Sequence, residues 1–369
     1  MKHRIPKRGT PARVRCSIAV HCAIVALSAG YADGFGAELV VHPDGTGDYP
    51  TIQSAVDAAQ DGDEVILMDG IFLGAGNRGV EIRGKSIVVR SLSGVPAQCV
   101  VDCEWAIYGF EIIFSSAVTL QGLTVTHGTY DLGGAILIVY SSPVAIVNCR
   151  LRDNQSEQAA GVFSQSSDIT LDTCVIADNR TTLLGGGGVT IGEGSAVIQN
   201  CTIANNEVPI GTFGSAIGCA YTTVTVERTI ISHNGVAPPV ACDAATITLG
   251  CSNVFGNVAG DWTGCLIGQE GLRGNMSVDP LFCDPGSGDY TLARSSPCLP
   301  PQSGLCGQIG ALGEGCLGTA IESESWARMK ARYRSGTTQG GTPPQRGVSR
   351  TPSRGAPFCA VTRWRNVQP

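Results

Sequence analysis

Five segments of the chain superimpose on a terminal asparagine: VNCRLRDN (147–154), DTCVIADN (172–179), QNCTIANN (199–206), ERTIISHN (227–234) and LGCSNVFGN (249–257). The asparagines are Asn154, Asn179, Asn206, Asn234 and Asn257, spaced 25, 27, 28 and 23 residues apart. Five residues before the first three lie Cys149, Cys174 and Cys201, with Thr229 in the fourth copy and Gly122 in an earlier one. A second block precedes each: GGAILIVYSS (133–142), AAGVFSQSS (159–167), GGGVTIGEGS (187–195) and GSAIGCAYTT (214–223). Each unit therefore reads as a short strand, a polar turn, a β-branched strand such as VAIVNC, and a third short strand that ends in Asn.

Strands this short, joined by turns of a few polar residues, leave no room for helical crossovers between parallel neighbours. The arrangement that satisfies every unit is a solenoid, one turn per repeat, with parallel strands stacked about 4.8 Å apart. An antiparallel sandwich also has regularly spaced short strands, but it gives no reason for identities to recur at the repeat period. Inward Val, Ile and Leu would fill a continuous core, and inward Asn would pair with the coils above and below. Small residues (Gly134, Gly161, Gly188 and Ala216) suit a corner where backbones approach closely. The fold class expected is all-β, a single-stranded parallel solenoid of about eight to ten coils. It spans 38–260, with 261–316 as a closing segment.

Charge separates the rest of the chain from this body. The formal net charge is −6 over 369 residues. Residues 1–30 carry six basic side chains and no acid, and residues 317–369 carry nine against Glu322 and Glu324. The body between them holds 10 basic and 29 acidic residues, near −19, which disfavours nucleic acid as its partner. No apolar run reaches the roughly 18 residues that a membrane-spanning helix requires. The basic start followed by SIAVHCAIVALSAG reads as a secretory signal over 1–32, which implies a secreted or cell-surface protein. Export would place the 13 cysteines from Cys99 to Cys316 where disulfides persist, and an odd number leaves at least one unpaired within that segment. Cys149, Cys174 and Cys201 read as stacked inward residues. No pair of CxxC motifs suggests zinc. Residues 317–334 could form an amphipathic helix, and the remaining basic tail to 369 has the composition of a disordered segment.

The repeat, together with VVHPDGTGDYPTIQSAVDAAQDGDEVIL (40–67) and DPLFCDPGSGDYTLARSSPC (279–298), resembles the right-handed parallel β-helix proteins of the pectin-lyase-like superfamily. The first of those segments is similar to the opening of pectinesterases. In it Thr51 is placed to N-cap a short helix with Ile52, Ala55, Val56 and Ala59 on one face, covering the first coil. Chemistry does not follow the scaffold. The Gln-Asp-Thr-Leu, Asp-Phe-Ile-Phe-Gly and Gly-Arg-Pro-Trp segments of pectinesterases have no counterpart. Of the polygalacturonase motifs only His127-Gly128 is present.

One constellation comes from the repeat itself. The residues before the ladder asparagines are Asp153, Asp178, Asn205, His233 and Gly256, which should form a surface stripe. Asp153 and Asp178 would lie about 5 Å apart on adjacent coils, near the spacing used by retaining glycosidases. Their repulsion would raise the pKa of one, or a calcium ion would bridge both. The plainer reading is a solvated turn stripe, where Asp and Asn are the usual occupants. Two functional classes follow. One is a non-catalytic module that binds a glycan or cell-surface component, needing no cofactor, with calcium as a structural ion. The other is a carbohydrate-active lyase, esterase or glycosidase using Asp153, Asp178, His127 or His233. A groove with converging acids and an Arg would favour the enzyme.

Overall fold

A computed structural model describes residues 36–183, 185–208 and 213–317. The proposed leader and all of the tail beyond Leu317 lie outside the described residues. Each coil has three strands, as in Ile136–Val139, Val144–Val147 and Arg150–Arg152. Every strand pairs in parallel with its equivalent one coil on: Ile138 lies against Ser164, Ile146 against Leu171 and Leu151 against Ile176. The first two faces merge into one 14-stranded sheet, because Val162–Asp172 and Val189–Gln199 bend round the corner between faces without a break. The third face is an eight-stranded sheet running from Gly70–Phe72 to Asn253–Phe255. This is the solenoid the repeat predicts, with the right hand that the resemblance implies. Ile136, Ile138, Val144, Ile146 and Leu151 all point inward, and their equivalents form one continuous core.

The chain turns at three corners per coil, and each corner uses a left-handed residue. His127, Asp153, Asp178, Asn205 and His233 have φ between 53 and 59°. Asn148, Thr173, Asn200 and Arg228 mark the second corner, and Phe114, Tyr140, Ser166, Glu193 and Tyr221 the third. Asp and Asn tolerate this conformation best among residues with a Cβ, which explains much of their presence in the stripe. The residue after each left-handed position turns inward, and its backbone N–H needs a partner. The next coil supplies one. Ser141 N donates to Ser167 Oγ, Cys201 N to Thr229 Oγ1 and Asn154 N to Asn179 Oδ1.

The asparagine ladder is continuous. Nδ2 of Asn154, Asn179, Asn206 and Asn234 donates to Oδ1 of the next asparagine at 3.0, 3.0, 3.1 and 3.0 Å. Asn257 ends it by donating to Asp261 Oδ1 at 2.9 Å. Cys149, Cys174 and Cys201 are buried inward thiols at the neighbouring corner, as expected. A Cβ placed on Gly161 would lie 2.3 Å from the Gly188 carbonyl oxygen, so the small residues do serve close backbone approach.

At the N-terminal end the helix Ile52–Ala58 carries the expected cap: Thr51 accepts from Ser54 N while Ser54 Oγ accepts from Thr51 N. Ile52, Ala55, Val56 and Ala59 are all buried against the first coils. Asp44-Gly-Thr-Gly-Asp48 is a turn, with Thr46 N and Oγ1 both donating to Asp44 Oδ1.

The closing segment both ends the solenoid and folds back along it. The turn around Trp262–Leu266 packs on the end of the core, and beyond it Gln269 accepts from Leu249 N and Asn275 from Ser252 N of the last coil. Phe282–Asp284 and Asp289–Ala293 form an antiparallel pair that folds back over the outer side of the third face. There Phe282, Tyr290, Leu292 and Ile309 cover Val175, Ala177, Ala204 and Ile230. Cys251–Cys306 ties this segment to the last coils, and Cys283–Cys316 closes it on itself.

Candidate functional site

Outward residues of the third face change character along the axis. Under the closing segment they are small or apolar. Toward the N-terminal coils they become Asp102, Thr124, Thr126, Arg150 and Arg152, on the strands Cys99–Asp102, Thr124–Thr126 and Arg150–Arg152. The closing segment stops beside Arg152, where a Cβ on Gly288 would lie 3.0 Å from the guanidinium. The uncovered part is a groove of about 280 Å³, lined by Ala97, Val100, Thr124, Thr126, His127, Arg150, Arg152 and Asp153.

His127 Nδ1 lies 2.9 Å from Asp102 Oδ1. With the ring N–H directed at the carboxylate, Nε2 carries the free lone pair. Trp105, 53% exposed, stands against the imidazole with ring centroids 4.9 Å apart. Arg152 Nε donates to Asp153 Oδ2 at 2.7 Å. Arg150 makes no side-chain hydrogen bond or ion pair among the described residues, although it lines the groove.

Of the residues singled out from the sequence, His127 and Asp153 meet here. Asp178 is on the next coil but beneath the closing segment, where both of its oxygens lie 3.0 Å from Tyr290 Oη and one also accepts from Asn205 Nδ2. The two aspartates therefore do not share an open cleft. His233 is farther along, packed against Phe255 and Phe282. The expected rise in one carboxyl pKa does fall on Asp178. Its main cause is burial, opposed by the hydrogen bonds from Asn205 and Tyr290, with repulsion from Asp153 a lesser contribution. No group of three or more His, Cys, Asp or Glu side chains is placed to hold a metal ion among the described residues.

Sequence reasoning missed Asp102, Trp105, Arg150 and Arg152. Asp102 stands opposite Thr126 on a coil too divergent to align with the repeat, which hid its contact with His127.

Because the folded Asp178 pKa lies above its unfolded value, this group favours folding most below the ordinary carboxylate range. That contribution declines as pH rises through the folded pKa. Replacing Tyr290 with Phe removes a donor to the carboxylate, so the Asp178 titration should move further upward. Carboxyl-carbon NMR of wild type and Tyr290→Phe would read this directly; an unchanged or lower midpoint would contradict the assignment.

A family described as "Right handed beta helix region" matches residues 60–215 and 108–267. No curated protein matches the chain. Among solved structures, pectate lyase Pel9A is similar at 12% identity and a TM-score of 0.33, covering 76% of this chain and 97% of its own. A pectin methylesterase from Aspergillus niger, in penultimately deglycosylated form, is similar at 11% identity and a TM-score of 0.32, covering 67% of this chain and 92% of its own. Likeness at that level bears on neither activity nor substrate. The family matches together span 60–267, more than half of the 369 residues, and the chain belongs to the right-handed β-helix family.

Proposed function

We propose that this is an exported glycan-binding protein whose groove on the third face takes an anionic sugar chain. The observation that carries the reading is Arg150, an unpaired guanidinium in a groove on an otherwise acidic body. Arg150 and Arg152 are two of only 10 basic residues in that body, and they stand two positions apart on one strand. Guanidinium groups bind carboxylate or sulfate through paired, charge-assisted hydrogen bonds. The exposed Trp105 ring stands against His127, which lines the groove, and offers a sugar an apolar surface next to it.

A glycan-array screen with and without calcium tests this reading. Arg150→Ala should weaken binding of the best anionic glycan about 10- to 100-fold, the loss of a charged hydrogen bond of about 1.5–3 kcal/mol. Titration calorimetry would measure it, and equal affinity in the variant would exclude the groove.

A second reading is a carbohydrate-active enzyme, favoured by the Asp102–His127 contact beside Asp153. A histidine held at Nδ1 by a carboxylate is arranged as a general base. Bond cleavage in the bound glycan, abolished by His127→Ala while binding persists, would establish this reading. Binding without turnover would leave the first.

A further inference from the structure

Three sulfurs meet at the C-terminal end of the core. The strand Ile217–Ala220 pairs in parallel with Val240–Asp243, in a register that sets Cys219 directly against Cys242. Cys242 is bridged to Cys265, which belongs to the short turn Gly264–Leu266 at the end of the solenoid. Cys219 is a free, fully buried thiol. Its Sγ lies 3.4 Å from the bridged sulfur of Cys242 and 3.3 Å from the Ala241 carbonyl oxygen.

The other free thiols are placed differently. Cys149, Cys174 and Cys201 hydrogen-bond to the carbonyl oxygens of Leu120, Ile146 and Leu171, as rungs of an inward ladder. Cys298 accepts from Asn253.

We propose that Cys219, Cys242 and Cys265 form a thiol–disulfide exchange site, in which the bridge migrates from Cys242–Cys265 to Cys219–Cys242. Cys219 gives up its proton and the thiolate attacks Cys242 Sγ. A Cys219–Cys242 bond forms as Cys242–Cys265 breaks, and the electron pair leaves on the Cys265 sulfur, which takes up a proton. One disulfide and one thiol are present before and after, so the step needs no outside oxidant or reductant. Neighbouring parallel strands hold their Cα atoms about 4.8 Å apart, inside the roughly 4.4–6.8 Å that a disulfide spans. Burial pushes the Cys219 thiol up to about 12, which keeps the thiolate scarce and the exchange slow near neutral pH.

Migration would change what holds the end of the solenoid. With Cys242–Cys265 intact, the end turn is covalently tied to the last coils. After exchange it is held by the packing of Trp262 and Leu266, and the thiol moves from fully buried Cys219 to half-buried Cys265. A buried thiol that external reagents cannot reach becomes one that a small-molecule disulfide can.

The test is disulfide mapping of the intact protein. After timed incubation at pH 9, samples are acid-quenched, alkylated and digested, and the linked peptides are identified by mass spectrometry. A Cys219–Cys242 peptide should accumulate with time, with alkylated Cys265 rising in step. A single Cys242–Cys265 peptide at all times, with Cys219 recovered as the alkylated thiol, would overturn the proposal. Cys265→Ser gives a second readout that does not depend on the rate in wild type. With oxidised glutathione supplied as oxidant, Cys219 and Cys242 should close to a bridge in that variant. Recovery of Cys219 as a free thiol would count against the site. Cys219→Ser, as a control, should retain Cys242–Cys265 and show no migration.

Discussion

Asn206→Ala is expected to lower stability by about 4–6 kcal/mol. Asn206 Oδ1 accepts from both Asn179 N (3.2 Å) and Asn179 Nδ2 (3.0 Å). Its Nδ2 donates to Ile176 O at 2.9 Å and to Asn234 Oδ1 at 3.1 Å. Truncation leaves the Asn179 backbone N–H buried without an acceptor, at about 1–3 kcal/mol, and removes three further bonds worth about 1 kcal/mol each. Water cannot repair the site, since Asn179, Asn206 and Asn234 are all 0% exposed. Asn179 Nδ2 keeps Leu151 O, and Asn234 Oδ1 keeps the Asn206 N–H, so damage stays within about two coils. Thermal unfolding should show a fall of about 10 °C. Hydrogen exchange should accelerate most around 176–206 rather than uniformly, because a solenoid is held by nearest-neighbour contacts. Asn205→Ala, one residue away on the outer side, loses its bond to Asp178 and leaves Ala at a left-handed φ of 53°, and should cost about 2 kcal/mol. Similar losses for the two variants would mean that the ladder does not organise the corner.

Gly161→Ala should cost about 3 kcal/mol or more by adding a single methyl group. The new Cβ would meet the Gly188 carbonyl oxygen at 2.3 Å and Ile176 Cγ2 at 2.9 Å. That oxygen accepts from Val162 N at 2.9 Å, so it cannot retreat without loss of an inter-coil hydrogen bond. Gly192→Ala provides the comparison. Its Cβ would come within 2.2 Å of Gln165 Oε1, the far end of a flexible side chain that can swing away. Its cost should be under about 1 kcal/mol. Denaturant midpoints would decide the matter, and equal effects at the two glycines would show that backbone approach does not set the coil spacing.

The contrast between local and distant contacts explains what could be read before the structure. Everything that obeys the repeat was legible. The inward Asn at 154, 179, 206, 234 and 257 and the stacked cysteines follow from side chains that meet their own equivalents one period away, and the capping helix from its own N-cap and apolar face. The groove was half legible. His127 and Asp153 stand in the repeat's left-handed corner position, but the coil containing Asp102 diverges too far in sequence to align by identity. The closing segment was not legible as a cover for the third face, because its contacts have no period: Tyr290 reaches Asp178 across 112 residues. A trace of it does exist in the outward residues of that face. They pass from Thr124, Thr126, Arg150 and Arg152 to Val175, Ala177, Ala204 and Ile230, a shift that an uncovered surface does not require. The cysteine count gave parity but not pairing. Three bridges form among the described residues, and seven thiols remain free and buried.

Asp261 also bears on how long such a molecule can be. Its carboxylate accepts from the N–H groups of Gly256 and Asn257 and from Asn257 Nδ2, filling the place the next rung would occupy. Each interior rung accepts from the coil before it and donates to the coil after it, so nothing inside the ladder counts coils. Length is set by the two terminators, the helix capped by Thr51 at one end and the Asp261 turn at the other. Whole periods can therefore be duplicated or deleted between them with the ladder contacts preserved in kind, while the contacts of the closing segment with Asp178, Ala204 and Ile230 would have to re-form on other coils. Such a change would move the groove at 97–153 relative to the end that carries Cys265, and spacing between the two becomes an adjustable property of the scaffold.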